Sequence, residues 1–438
     1  MTGIDRAGPN DLTNLAVDRG PAPMNIGAVL LLDGAADLGL PAVRALVGAR
    51  LPRVRRMRQR LVRAPLAGGR PVWVDDVDFD LDRHLSARAV EPGDDADAAL
   101  LRVAADLVCE HLPRDRPLWR AGWVTVAGTG HAALVLVVHH ALADGIGGLA
   151  VLAALADEGA PPPATGFPQP RPPRGKLAAD AWRERVCTLR RAGAMLRGAL
   201  HGVRELGLAT RPRLAPATSL NSPTGPRRRL TTVSVSLADI VALAHERGST
   251  VNDVALAAIV GAMAGTLERR GECPPELVVS IPISARRGTT ADRLGNQAGV
   301  VPLVLPTTPD SLDRLDRIAT ISKARRGTSP GASAGPLGLV FRALGRLGLF
   351  QPFIDRQRLV NTFVTNVRGP ATAMTLGGRP VVGLVPIAVN PGNVGVSFDI
   401  LSYAGRLGVT VVADPKVVPD QDLLTDLLAA EFRRLLGG

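Results

Sequence analysis

Cysteine is scarce in this chain: three residues in 438, Cys109, Cys187 and Cys273, with no CxxC pair. That argues against a disulfide framework or a zinc module and fits a reducing compartment. Aromatic residues make up only 3% of the chain, and no nucleic-acid fold signature appears, so its basic charge does not read as a nucleic-acid surface. The first twenty residues carry Asp5, Arg6, Asp11, Asp18 and Arg19 around no apolar core, and no secretory signal is expected there. Uncharged apolar runs of transmembrane length are missing as well. The longest candidate, Val254 to Leu267, is bounded by Asp253 and Glu268 and reads as a buried helix. The expected location is the cytoplasm, with room for peripheral attachment to the inner membrane face or to lipid droplets.

What is abundant is apolar residues, 46% of a chain long enough for two domains. Charge is abundant too, but uneven. Between Arg171 and Arg229 stand fourteen Lys and Arg against three acids, so this stretch holds nearly all of the net charge of +12. It opens and closes with Pro-rich linkers, Pro161 to Pro173 and Pro212 to Pro226. Its middle, Leu177 to Leu206, is helical in pattern, with Trp182, Val186, Leu189, Leu196, Leu200 and Val203 on one stripe and arginines mostly elsewhere. Two readings stay open: a basic amphipathic helix on anionic lipid, or a crossover helix packing its stripe on one domain. A second run, Arg50 to Arg63, holds seven arginines and no acid. It reads as the wet face of a helix, with contact to CoA phosphates as the other reading.

The most informative residues are His139-His140-Ala141-Leu142-Ala143-Asp144-Gly145. They follow the apolar run Ala133 to Val138, a buried strand, and precede the apolar stretch Ile146 to Ala156, a helix. Side chains alternate across a strand, so His139 and His140 should point opposite ways, one toward a substrate and one into the scaffold. Asp144 has N-cap chemistry for the helix, and Gly145 permits a sharp turn. No third ligand stands at metal-site spacing, so no metal is expected.

The pattern HHxxxDG at a strand-to-helix junction resembles the signature of CoA-dependent acyltransferases. The flanking blocks resemble one branch, the bacterial wax ester synthase/acyl-CoA:diacylglycerol acyltransferases. These blocks are Pro23-Met24-Asn25-Ile26-Gly27-Ala28, Pro71-Val72-Trp73-Val74, Phe79 to His84 and Pro117-Leu118-Trp119. Val251-Asn252-Asp253-Val254, Pro282 to Arg287 and Gly295-Asn296-Gln297 follow, then Thr365 to Pro370 and Ser402-Tyr403-Ala404-Gly405. Arg120, Thr365 and Arg368 depart from the branch's pattern. The resemblance implies an α/β (α+β) fold of two chloramphenicol-acetyltransferase-like domains, each a mixed sheet with flanking helices, with the active-site channel at their interface. The expected division is residues 1–160, a basic crossover over 161–228, and residues 229–438.

The same resemblance assigns the site. An alcohol attacking a thioester must lose its proton as the C–O bond forms, because its pKa lies far above that of imidazole. The motif's second residue, His140, is the expected general base, with the imidazolium then protonating the CoA sulfur. His139 is assigned to support, with direct catalysis as its other reading, and Asp144 to holding the loop by pairing with Arg286 or Arg287. Asn252 is an oxyanion donor or a positioner of His140, while Asn252-Asp253 is equally readable as a helix cap. Asp253, Gln297 and Asn366 are placed near the substrate, and Trp119 either lines the channel or is plain core. The implied substrates are acyl-CoA, as co-substrate with no further cofactor, and diacylglycerol or a long-chain alcohol. Acylation of a polyketide or other specialised alcohol, and a non-catalytic lipid-surface protein with a relic site, remain as alternatives.

Overall fold

The computed structural model describes residues 4–35, 37–91, 95–159, 166–190, 214–284, 294, 298–325, 334–389 and 391–437. In chain order the first half runs α1 (Pro9–Val17), β1 (Asn25–Leu32), α2 (Leu40–Arg50), β2 (Gln59–Val62), β3 (Val72–Asp75) and β4 (Leu85–Val90). It continues with α3 (Ala96–Cys109), β5 (Trp119–Val126), β6 (Ala132–His139), α4 (Gly145–Leu155) and α5 (Arg174–Arg190). The second half runs β7 (Arg229–Ser236), α6 (Leu237–Glu246), α7 (Val251–Arg269), β8 (Glu276–Ser284), β9 (Ala298–Pro306), α8 (Ser311–Arg325), α9 (Ala334–Arg346) and α10 (Phe350–Ile354). Then come β10 (Thr362–Arg368), β11 (Thr375–Leu376), β12 (Arg379–Ala388), β13 (Val396–Tyr403), β14 (Arg406–Ala413) and α11 (Gln421–Leu435).

Two six-stranded sheets organise these elements, in the orders β11-β12-β1-β6-β5-β4 and β7-β14-β13-β10-β8-β9. Both are mixed: β4 runs parallel to β5, and β10 runs parallel to β13 and to β8. Helices flank each sheet, the two-domain α/β architecture expected from the sequence. The sheets do not divide at a single point in the chain, however. The hairpin β11–β12 comes from the second half and joins the first sheet, with β12 pairing antiparallel to β1 from Ile26↔Ala388 to Leu32↔Val381. Residues 1–160 therefore do not complete their own sheet.

Each core follows from strand periodicity. On β6, Ala133, Val135 and Val137 pack under α3, while Leu134, Leu136 and Val138 pack with α2 and α4 on the other face. A strand covered on both faces reads as one continuous apolar run, as this one does. In the second sheet Val364, Phe398, Ile400 and Val411 pack against α7. That helix has the length and apolarity to cross a membrane, alone among the described residues, yet Val254 through Val260 are fully buried in the core of the second half. Its close packing is deliberate at Gly261, where a Cβ would lie 2.3 Å from Arg314 Nη2; Arg314 is the buried partner of Glu431.

The arginine run from Arg50 to Arg63 is not the wet face of a helix. α2 ends at Arg50, two short 3₁₀ turns follow, and β2 begins at Gln59. Arg50 donates to the Leu155 carbonyl (2.8 Å) and pairs with Asp157, and Arg53 donates to the carbonyls of Ala154 and Ala156. Two arginines thus neutralise the C-terminal end of α4, where unpaired carbonyls favour cations. Arg56 is buried over the Trp73 ring and pairs with Asp5. These side chains brace the scaffold rather than face a free anion.

Candidate active site

The alternation on β6 carries through its end. His139 continues the Val137 face, is 1% exposed, and meets Asp18, the residue after α1. Its Nδ1 accepts the Ala141 N–H (3.0 Å), so its proton sits on Nε2 and is donated to Asp18 Oδ2 (3.2 Å). Asp18 also accepts from the Met24 N–H (2.9 Å) and from Arg114 Nη2 (2.9 Å). Burial alone would raise this carboxyl's pKa; the His139, Met24 and Arg114 donors outweigh it and hold the group well below the usual carboxylate range. Asp18 and Asn14, whose Nδ2 donates to the His140 carbonyl (3.2 Å), belong to the motif's support. Sequence reading missed both, because nothing in their spacing ties residues 14 and 18 to residue 139.

His140 continues the Val138 face and lines a cavity of about 180 Å³ between the two halves. Its Nδ1 lies 3.1 Å from the Ala143 carbonyl oxygen. A carbonyl can only accept, so Nδ1 carries the proton and Nε2 is the basic nitrogen. Burial among apolar neighbours lowers the pKa of the imidazole; the Ala143 carbonyl and Asp144 oppose this without reversing it. The ring is therefore neutral at pH 7, the form that can accept a proton.

Asp144 is the N-cap of α4: its Oδ1 accepts the Gly147 N–H (2.9 Å). Both it and Gly145 line the cavity. The expected reason for Gly145 needs correcting, since its φ is not positive and no sharp turn depends on it. A Cβ there would lie 3.2 Å from Val367 Cγ2. The glycine lets β10 of the second half come close to the start of α4. Arg286 and Arg287, the expected partners of Asp144, lie outside the described residues, as do Gln297, Gly295 and Asn296.

From the second half, β10 contributes Thr365, Asn366 and Val367 to the cavity, β12 contributes Leu384, Pro386, Ile387 and Ala388, and β13 contributes Asp399 and Leu401. Asn366, expected near the substrate, is one of the cavity's lining residues. Its Nδ2 donates to Asn252 Oδ1 (3.1 Å), which brings the N-terminus of α7 to the cavity rim. Asn252 is not the helix cap. Thr250 is, in a capping box whose other member is Asp253: the Asp253 carboxylate accepts from Thr250 N–H (3.0 Å) and Thr250 Oγ1 (2.7 Å). Asp253 is buried and does not line the cavity, so a substrate contact for it is corrected to a structural one.

Trp119 is likewise core. It is 2% exposed, donates its Nε1–H to the Met57 carbonyl (2.7 Å), and stacks on His84, which stacks on Phe79. Asp399 was not among the expected site residues. Its carboxyl is buried, accepting from Thr365 Oγ1 (2.6 Å) and from the Ala388 N–H (2.7 Å), and burial pushes its pKa up to about 7.

In the basic stretch, α5 turns Leu177 and Ala181 inward, with Leu177 packed on Val72 and Val74, and is pinned by Arg6–Asp180 and Arg70–Glu184 ion pairs. Trp182 and Leu189, the start of the apolar stripe, are 66% and 74% exposed. Trp182 and Leu189 are therefore not packed on either domain, while Val186 between them is half-buried. Residues 191–213, which hold the rest of it, lie outside the described residues.

Comparison with known proteins agrees with this architecture. Residues 8–255 match the wax ester synthase/diacylglycerol acyltransferase catalytic domain, and residues 294–436 match the WS/DGAT C-terminal domain. The chain is 30% identical to "Probable diacyglycerol O-acyltransferase tgs1" of Mycobacterium tuberculosis (strain H37Rv), over 93% of this chain and 92% of that protein. Among solved structures it is similar to the wax ester synthase/diacylglycerol acyltransferase from Marinobacter aquaeolei VT8, at a TM-score of 0.68 and 21% identity, covering 99% and 98% of the two chains. It is also similar in fold to the first condensation domain of the CDA synthetase, at a TM-score of 0.62 and 18% identity, covering 99% and 96%. With both family domains matched in order along the chain and the motif histidine at their shared cavity, the chain belongs to the wax ester synthase/diacylglycerol acyltransferase family and is an acyltransferase.

Proposed function

We propose that the protein transfers a fatty acyl group from acyl-CoA to the hydroxyl of diacylglycerol or a long-chain alcohol, with His140 as general base and no cofactor beyond the co-substrate. One observation carries this reading: the Ala143 carbonyl fixes the proton on Nδ1, so a basic Nε2 belongs to a ring that walls an apolar cavity between the two halves. The acceptor hydroxyl gives its proton to Nε2 as its oxygen attacks the thioester carbonyl. The tetrahedral intermediate bears an oxyanion, for which the Asn252–Asn366 amide pair at the rim supplies the donor. Collapse breaks the C–S bond, and the imidazolium returns the proton to the CoA sulfur. No covalent acyl-enzyme is required, since both substrates can be bound together. His139 and Asp18 hold the strand end, and Asp144 holds the helix start.

CoA thiol release from palmitoyl-CoA tests this, with diacylglycerol, hexadecanol or no acceptor. A positioned base contributes about 10²–10⁴-fold, so His140→Ala should lower acceptor-dependent release by at least about a hundredfold with unfolding unchanged. Because burial lowers the His140 pKa, wild-type kcat/KM should lose its base only as the pH falls below the ordinary histidine value of about 6.5. Equal rates for the two proteins on every acceptor would sink the mechanism.

We further propose that the outward face of α5, with Trp182 and Leu189 between Arg183, Arg185 and Arg190, lies on anionic lipid and brings the enzyme to its acceptor. Exposed apolar anchors beside arginines are the chemistry of an interfacial helix.

A further inference from the structure

Apart from His140, Asp144 and the β10 residues Thr365 and Asn366, the cavity is lined by apolar side chains and glycines, Ile26, Leu136, Val138, Leu149, Leu152 and Leu401 among them. Asp399 interrupts that wall. It is carried by β13 between Phe398 and Ile400, which turn the other way into the core of the second half, so strand alternation turns its carboxyl to the cavity side. The side that bears it also receives Thr365 from β10, the register partner of Asp399.

A carboxylate offers about four lone-pair positions, and each oxygen of Asp399 takes up one: Oδ1 accepts from the Thr365 hydroxyl and Oδ2 from the Ala388 N–H. Both are donors, so the protein has built a cradle for an acceptor group on a residue that lines the cavity. Among the described residues no Lys, Arg or His pairs with it. A long apolar chain drawn past this carboxyl removes its water and offers nothing in return, which is the arrangement that discriminates most strongly between substrates with and without a polar hydrogen.

We propose that Asp399 is a specificity residue that accepts a hydrogen bond from a hydroxyl on the bound substrate other than the reacting one. The substrate class is therefore a hydroxylated lipid: an acceptor with a second hydroxyl, or an acyl chain that bears one. The reacting hydroxyl lies at His140, and the second is held across the cavity. Ala388 stands opposite Ile26, which stands opposite Val138, two residues before His140. The tethered end of β12 is thus two strand spacings, roughly 10 Å, from the strand that carries the base. The raised pKa of Asp399 accords with a carboxyl that gains most from a new donor.

This proposal rests on the acyl-transfer reading and is tested by ratios taken within one enzyme preparation, which do not depend on the fraction folded. In one arm palmitoyl-CoA is fixed, and kcat/KM is compared for 1,2-hexadecanediol and hexadecanol. In the other, hexadecanol is fixed, and hydroxypalmitoyl-CoA is compared with palmitoyl-CoA. Wild type should favour the hydroxylated substrate by at least tenfold in one arm, and that arm names the source of the hydroxyl. Asp399→Leu should abolish or reverse the preference. Asp399→Asn keeps the fold, with its amide oxygen accepting from Ala388 N–H and its amide N–H donating to Thr365 Oγ1, and should weaken the preference. A wild-type ratio near one in both arms, or ratios unchanged in both variants, would overturn the proposal and leave Asp399 as a tether between β12 and β13. Absence of thiol release with any acceptor would instead refute the acyl-transfer reading itself.

Discussion

Asp18→Asn isolates the support beneath the motif. The Asp18 carboxylate receives three hydrogen bonds, from Met24 N–H on Oδ1 and from His139 Nε2–H and Arg114 on Oδ2. An asparagine offers one oxygen and must turn its NH₂ toward a donor. If the oxygen serves His139 and Arg114, the Met24 N–H is stranded; if it serves Met24, the His139 ring must accept instead. It could do so only by moving its proton to Nδ1, which faces the Ala141 N–H at 3.0 Å. Every arrangement orphans one buried donor, at about 1–3 kcal/mol. Arg114 is half exposed, so losing its ion pair adds no more than about 1 kcal/mol. The variant should be destabilised by roughly 1–4 kcal/mol at pH 7. The sign of the pH dependence follows from the lowered pKa of Asp18: its contribution is whole above the ordinary carboxyl value and is lost as the pH falls through the native one. The gap between wild type and variant, read from urea unfolding by tryptophan fluorescence, should persist from pH 8 to pH 5 and close only in strong acid. A variant within 0.5 kcal/mol of wild type at pH 7, with the same kcat, would show that the reasoning about this hub is wrong.

Gly145→Val should push β10 away from the start of α4, because even a Cβ lies 3.2 Å from Val367 Cγ2. Overpacking of this kind costs about 1–3 kcal/mol, and kcat/KM should fall with it as the cavity loses volume. A fully active variant with wild-type unfolding would disprove the close-approach account. For the lipid-facing helix, Trp182→Glu with Leu189→Glu should abolish co-sedimentation with phosphatidylglycerol vesicles while leaving thiol release from water-soluble acyl-CoA and short alcohols intact. Both side chains are more than half exposed, so undiminished vesicle binding could not be ascribed to misfolding and would reject that surface.

What the sequence disclosed was whatever depends on near neighbours. The all-apolar run of β6, the opposed directions of His139 and His140, the cap at Asp144 and the burial of α7 each follow from strand or helix period within a dozen residues. Asp18 escaped because a single acid after a nine-residue helix has no pattern; only the fold sets it against residue 139. The arginines of 50–63 misled for the same reason. Arg50, Arg53 and Arg56 find their partners in carbonyls of α4 and in Asp5, more than forty positions away in sequence.

β12 escaped for a different reason. Arg379-Pro380-Val381-Val382-Gly383-Leu384-Val385-Pro386 carries two prolines and a glycine, which ordinarily argue against a strand. They are tolerated because β11 covers only Arg379 and Pro380, so beyond them β12 is an edge with one partner, β1. That edge is what makes the cavity a joint product of both halves. The first sheet supplies the base on β6, two strands in from the edge. The second half supplies the strand that closes the wall and, through the Ala388 N–H, half the cradle of Asp399. Neither half contains a complete site, so activity should depend on the β12–β1 register as strictly as on His140. A slip of one residue would turn each β12 side chain in the wall to the opposite face and carry the Ala388 N–H away from the carboxyl it holds.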